Sequence, residues 1–202
     1  MGHKLVIFDF DGVISDSWNI CFETTRIWYP QLTEQQYRDS FNGNIRDASW
    51  RKPNLKTNFY DYYDPRLLAS KPFEGISEVI LTLAKDYKLF IVSSTPAPVI
   101  REYLRINDMD VFEQVLGHET HKYKDAKLKM ILDETKVSVT EVLFITDTLG
   151  DILESQKVGV RSISVTWGFQ SKETLLRGNP ADIVEHPNKL IKSVNNFFNQ
   201  EI

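Results

Sequence analysis

The chain is 202 residues long with 42% hydrophobic and 26% charged residues, enough apolar material for a full-sized core and too much for a disordered chain. Its 24 Lys/Arg against 28 Asp/Glu leave a net charge of −4, which gives no support to a protein whose work is gripping nucleic-acid phosphates. A single cysteine, Cys21, excludes an internal disulfide and any cysteine-built zinc site.

The chain begins with a short apolar run, Leu5-Val6-Ile7-Phe8, ahead of Asp9. That run is too short for a signal-peptide core, and nowhere is there an uncharged stretch of about 18 residues to span a bilayer. A cytoplasmic protein with no membrane partner is expected. The run predicts a first strand over residues 4–9, buried on both faces as in a parallel sheet.

Residues 17–72 carry no convincing strand. Twelve of the 24 aromatic residues fall between Trp18 and Phe73, and eight Lys/Arg against six Asp/Glu leave this stretch at +2. A mostly helical insertion is expected, broken at Asn42-Gly43-Asn44 and Lys52-Pro53-Asn54. Its aromatic residues suit first a small core that needs bulky side chains, and beside that a lid whose aromatic and basic groups cover an anionic ligand; the two can both hold.

Beyond it the pattern alternates. Ile76, Val79, Ile80 and Leu83 predict a helix over about 74–86, followed by a strand at 89–94. A helix carrying Val99, Ile100, Tyr103 and Leu104 starts after Pro96 and Pro98, and a strand follows at 111–117. A third helix carries Leu128, Ile131 and Leu132, and strands follow at 142–147, 161–165 and 182–184. The fold class is therefore α/β, a doubly wound, mainly parallel Rossmann-like sheet, with residues 1–16 and 73–202 forming the core and 17–72 the insertion.

In such a sheet ligands bind beyond the C-terminal strand ends. The first strand ends in Asp9-Phe10-Asp11-Gly12, the second in Ser93-Ser94-Thr95 and the fourth in Asp147-Thr148-Leu149-Gly150-Asp151. The third leads to Gly117 and then to Lys122, Lys124 and Lys127. Taken singly, each is an ordinary cap, turn or solvated side chain. Together they bring four carboxylates into one pocket, which repel one another unless a cation joins them, and hard oxygen ligands suit Mg²⁺.

The sequence resembles the haloacid dehalogenase-like hydrolase superfamily, in its phosphoglycolate-phosphatase-like branch. DFDGVISDS at residues 9–17 matches the family's DxDGTLxDS, and Ser93 after Leu-Phe-Ile-Val stands where the family has Thr or Ser. FITDTLGDILESQKVGV at residues 144–160 matches GDTxxDIxxAxxAGV, with Thr146 in place of the usual glycine, a departure not expected to touch the carboxylates. The tail at residues 166–190 also resembles that branch. The family's Lys-Pro dipeptide is missing; Lys124 best fits the phase of the following helix, with Lys122 its competitor.

The resemblance implies a phosphatase acting on a small phosphorylated metabolite through an aspartyl-phosphate. Asp9 would be the nucleophile, and Asp11 the group that protonates the leaving alkoxide and then deprotonates water. Mg²⁺ would sit on Asp9, the Asp11 carbonyl and Asp147, with Asp151 in support. Ser93 and the Ser94 amide would bind the phosphoryl oxygens, and Lys124 would neutralise charge. The second aspartate argues against halide cleavage, which needs no acid. A phosphomutase is the alternative, a non-catalytic binding domain a remoter one. By the same resemblance residues 17–72 are a helical cap, in which Arg46, Arg51 and Lys52 could meet a second anionic group or simply face solvent. A monomer or weak homodimer without nucleic-acid partners completes the expectation.

Overall fold

The structure, a computed structural model, describes residues 4–52 and 58–199. Six parallel strands form one sheet in the order β3-β2-β1-β4-β5-β6: β1 (Leu5–Phe8), β2 (Lys88–Val92), β3 (Gln114–Leu116), β4 (Val142–Thr146), β5 (Arg161–Val165) and β6 (Asp182–Val184). The doubly wound α/β sheet expected from the alternating pattern is thus present, with every pairing parallel. Strand order reverses at β1, which lies between β2 and β4, so the crevice of this sheet type opens beyond its C-terminal end.

All four residues of β1 are buried, and they alternate between two cores. Val6 and Phe8 join Leu89, Ile91, Leu143 and Ile145 on one face, whereas Leu5 and Ile7 join Phe90, Val92, Val142 and Phe144 on the other. Each such side chain contributes about 1.5–3 kcal/mol by leaving water. Because both faces are covered, the apolar runs lack the polar alternation of a half-exposed strand. Phe8 is level with Ile91 of β2 and Ile145 of β4, which sets the three strand ends side by side.

Helices cover the faces: α4 (Ile76–Leu83), α5 (Ala97–Ile106), α6 (Lys124–Thr135), α7 (Leu149–Lys157), α8 (Lys172–Leu176) and α9 (Leu190–Asn199). The helix expected over 74–86 is shorter, since Gly75 precedes it with φ of +81° and the chain turns after Leu83. The strand expected over 111–117 narrows to three residues. Val111 is exposed there, and Phe112 leaves the ladder to pack edge-on against Phe8 at 6.0 Å.

Between β1 and α4 lie three helices, α1 (Trp18–Arg26), α2 (Glu34–Asp39) and α3 (Phe59–Leu68), with no strand among the described residues. Thr33 opens α2 with a reciprocal cap, accepting from the Gln36 amide while the Gln36 side chain accepts from its own. Asn42-Gly43-Asn44 does interrupt the segment, between single turns at Ser40–Asn42 and Ile45–Asp47. The break expected at Lys52-Pro53-Asn54 lies, apart from Lys52, outside the described residues. Aromatic rings fill the interior: Trp18 stacks on Phe22 at 6.0 Å and meets Tyr37 at 5.4 Å, while Tyr29 meets Trp50 at 4.8 Å. The chain leaves the sheet and returns at adjoining points. Ser15 pairs with Pro72, and the Phe73 amide donates to the Ile14 carbonyl at 3.0 Å. Among the described residues no helix is long and apolar enough to cross a membrane.

Candidate active site

The strand ends carry the acidic residues into one buried cluster. Asp9 follows β1 directly, and its amide donates to the Ile145 carbonyl of β4 at 2.8 Å. Its Oδ1 accepts from the Phe10 amide at 2.7 Å and lies 2.8 Å from the Lys124 ammonium. Lys124 reaches across from the start of α6 and also meets Asp151 Oδ2 at 2.6 Å. Carboxylate oxygens of Asp9, Asp147 and Asp151 lie within 4.8 Å of one another. Lys122, the competing lysine, is exposed and pairs instead with Asp47 of the helical segment.

Burial of three carboxylates beside one ammonium dictates their protonation. Burial, with the charges of Asp151 and Asp147, drives the Asp9 carboxyl well above its ordinary range, against the pull of Lys124. Asp147 is pushed up to about 7, chiefly by burial. Burial also acts to raise Asp151, but the charge and hydrogen bond of Lys124 and a hydrogen bond from Thr146 bring it below the usual value. Lys124 is raised despite its burial because two carboxylates face it.

Thr146 therefore corrects the sequence-based expectation. Its hydroxyl donates to Asp151 Oδ2 at 2.8 Å, so the residue in place of the usual glycine does touch a carboxylate. The side chain of the last β4 residue is fully buried and the start of α7 passes beside it, which a linear motif does not display.

Asp147 is fully buried, and its two oxygens differ. Oδ2 accepts from the Phe169 amide at 2.7 Å, whereas Oδ1 has no hydrogen-bond partner among the described residues. An orphaned buried carboxylate oxygen beside two further carboxylates fits the demands of a hard divalent cation. Gly12 belongs to the same construction. Its φ of +77° favours glycine, and a Cβ there would collide with the Asp147 carboxylate.

Asp11 is brought to the pocket but not to this cluster; its carboxylate instead accepts hydroxyl groups, including Thr95 Oγ1 at 2.7 Å. Ser93 is fully buried, and its Oγ accepts from the Thr95 amide at 2.9 Å. Ser94 and Thr95, rather than Ser93, line the cavity, and Ser94 presents its carbonyl to Arg46 at 3.2 Å and Tyr60 at 3.0 Å. Beneath them Lys127, which is also fully buried, donates to the carbonyls of Ser93 and Gly117. Burial, and then the charges of Lys124 and Arg46, lower Lys127 to about 7.

The cavity over these groups has a volume of about 580 Å³. The helical segment supplies its far wall, with Trp28, Tyr29, Phe59 and Arg46 facing Asp9 and Asp11 across it. Arg51 and Lys52 line the same cavity from exposed positions. The wall is fixed to the sheet side at several points: Asn44 donates to Glu154 at 2.7 Å, and Gln170 donates to the Arg38 carbonyl at 3.1 Å. Sequence reasoning missed Thr95, Tyr63 and the buried role of Lys127. The Ser-Ser-Thr run and the lysine trio were visible, but which member faced the ligand was not.

A family model described as haloacid dehalogenase-like hydrolase matches residues 6–165, and the chain belongs to that family. Two relatives are similar over almost the whole chain. A phosphoglycolate phosphatase of Synechococcus elongatus is 23% identical, covering 98% of this chain and 100% of its own. An N-acetylmuramic acid 6-phosphate phosphatase of Pseudomonas aeruginosa is 26% identical, covering 93% of each. The solved structure of a haloacid dehalogenase-like hydrolase from Streptococcus pneumoniae superimposes with a TM-score of 0.79 at 17% identity, covering 95% and 98% of the two chains. That likeness is one of fold.

Proposed function

We propose that this chain is a Mg²⁺-dependent phosphatase that hydrolyses a small phosphorylated metabolite through an aspartyl-phosphate. The enzyme is a phosphoric monoester hydrolase, phosphoglycolate-phosphatase-like. The observation that carries the reading is the Lys124 ammonium held between Asp9 and Asp151, beside the unpartnered Asp147 oxygen.

Asp9 supplies the nucleophilic carboxylate: its bond to phosphorus forms as the ester P–O bond breaks. Asp11 gives its proton to the departing alkoxide and takes one back from the water that cleaves the acyl phosphate. Lys124 lowers the repulsion between Asp9 and the phosphoryl group, and the Ser94 amide would donate to the phosphoryl oxygens. Asp9, Asp147 and the Asp11 carbonyl would hold Mg²⁺, with Asp151 anchored alongside by Lys124 and Thr146. When bound, the cation screens two anions from each other and polarises the phosphoryl group.

We read residues 17–72 as a cap that closes the cavity and excludes bulk water. Arg46 supports a substrate with a second anionic group. Among the described residues its buried Nε has no partner, and its guanidinium bonds only to the neutral oxygens of Ser94 and Tyr60. The names of the two relatives, a glycolate and a muramic acid ester, are of carboxylate-bearing phosphoesters, in keeping with that reading.

The test is inorganic phosphate release from a panel of small phosphoesters, with and without carboxylates, by the wild-type chain and by Asp9→Asn. Mg²⁺-dependent release by the wild type alone is expected. Phosphate release by Asp9→Asn at the wild-type rate would remove the nucleophile assignment. Transfer of phosphate within a hexose phosphate, without its release, would make the enzyme a mutase.

A further inference from the structure

Asp11 is a pocket carboxylate that meets no cation among the described residues, and three hydroxyl groups converge on it. Ser17 Oγ donates to Oδ1 at 2.8 Å, the Tyr63 hydroxyl donates to the same oxygen, and Thr95 Oγ1 donates to Oδ2 at 2.7 Å. The donors come from separate parts of the chain: the link into the helical segment, α3, and the loop after β2. Tyr63 is fully buried and its ring stacks on Phe59 at 5.2 Å, so the hydroxyl is held where it is. One turn earlier on α3, Tyr60 donates to the Ser94 carbonyl. One face of α3 thus places hydroxyls on both core loops that border the pocket.

The two oxygens of Asp11 are held unequally. Among the described residues Oδ1 carries two donors and is anchored, whereas Oδ2 carries only Thr95. A threonine hydroxyl rotates freely and can turn from donor to acceptor when a proton arrives on Oδ2. A phenol in a buried stack, sharing its acceptor oxygen with Ser17, has no such freedom.

We infer that Tyr63 is a positioning residue for acid–base chemistry: its hydroxyl anchors Asp11 Oδ1, so that Oδ2 is the oxygen that exchanges a proton with the substrate. This inference rests on the reading of Asp11 as the acid–base group. It makes proton transfer depend on α3 being seated over the strand ends, since the anchoring hydroxyl belongs to the helical segment.

The test uses two phosphoesters that differ in their need for a proton. Ethyl phosphate must have its alkoxide protonated, whereas para-nitrophenolate departs unaided. Values of kcat/KM, which report steps up to departure of the leaving group, are measured for wild type, Tyr63→Phe, Asp11→Asn and the packing control Phe59→Leu. Tyr63→Phe is expected to lose about tenfold on ethyl phosphate and less than about twofold on para-nitrophenyl phosphate, a part of the ~10²–10⁴-fold that general acid catalysis supplies. Asp11→Asn should show the same selectivity more strongly, and Phe59→Leu should change both substrates together. If Asp11→Asn is selective but Tyr63→Phe lowers both substrates equally, or neither, Tyr63 does not act through Asp11. If Asp11→Asn itself is unselective, the acid–base reading fails and the inference with it. Circular dichroism and Tm of each variant separate these outcomes from loss of the fold.

Discussion

The two walls of the pocket treat charge in opposite ways. On the sheet side the Lys124 ammonium is paired twice, to Asp9 and Asp151, and acid remains in excess. On the helical side Arg46 bonds to a carbonyl and a phenol, and Arg51 to the Ile45 carbonyl, so neither guanidinium meets a carboxylate among the described residues. Residues 17–72 carry +2 and the rest of the chain −6. One wall therefore has room for a cation and the other for an anion. A phosphoester with a second anionic group, together with a divalent metal, satisfies both.

The sharpest way to break this contrast is to disarm the sheet side alone. Asp9→Asn is expected to lower phosphate release by roughly three orders of magnitude or more. Its Tm should hold or rise, because the change removes one charge from a buried, mutually repelling cluster. A large fall in Tm would show that the cluster is needed for folding rather than for chemistry.

Metal titration examines the same wall by another route. Saturating Mg²⁺ should raise the wild-type Tm, by the equivalent of about 2.7 kcal/mol at a hundredfold excess over Kd, and EDTA should abolish turnover. Asp147→Asn should lose most of that thermal shift. A full shift in the variant would place the metal elsewhere.

Arg46→Ala tests the helical wall. KM for a carboxylate-bearing phosphoester should rise about tenfold, while an aryl phosphate without a second charge changes by about twofold or less. Equal changes on both substrates would reduce Arg46 to its bond with Ser94.

The smallest effect concerns Lys127, which lies under the pocket floor. Its pKa is near 7 in the fold against an ordinary 10.5, so between those values the unfolded chain holds more protons. Its contribution to stability is therefore complete above the ordinary value and is lost as pH falls through about 7. Lys127→Met removes this slope. The Tm of the variant relative to wild type should be more favourable at about pH 6.5 than at about pH 9.5. A difference that does not vary with pH would mean that Lys127 stays charged throughout.

Much of this molecule is legible before folding. The β1 and β4 runs are read directly because a strand buried on both faces is apolar along nearly its whole length. Asp9, Asp11 and Asp147 follow from them, since the chain turns out of the sheet where the ligand binds. The third motif is less legible. Lys122 and Lys124 differ by two positions, and only the start of α6 decides which one turns inward. Least legible are contacts with distant partners: Tyr63 lies 52 positions from Asp11, and Arg46 lies 48 from Ser94. No local periodicity encodes such pairs, and the aromatic richness of residues 17–72 does not say which ring carries a working hydroxyl.

The pairing of Ser15 with Pro72 has a consequence for how such a protein can diversify. Exit and re-entry lie next to each other at the rim of the sheet, so to the core the whole intervening segment is one surface loop. Its length and contents can be exchanged without changing the register of any strand, because loop closure costs grow only slowly with length. Recombination at this one junction could re-equip the same catalytic floor with a different roof, and the chemistry would be inherited intact while the choice of molecule was rewritten.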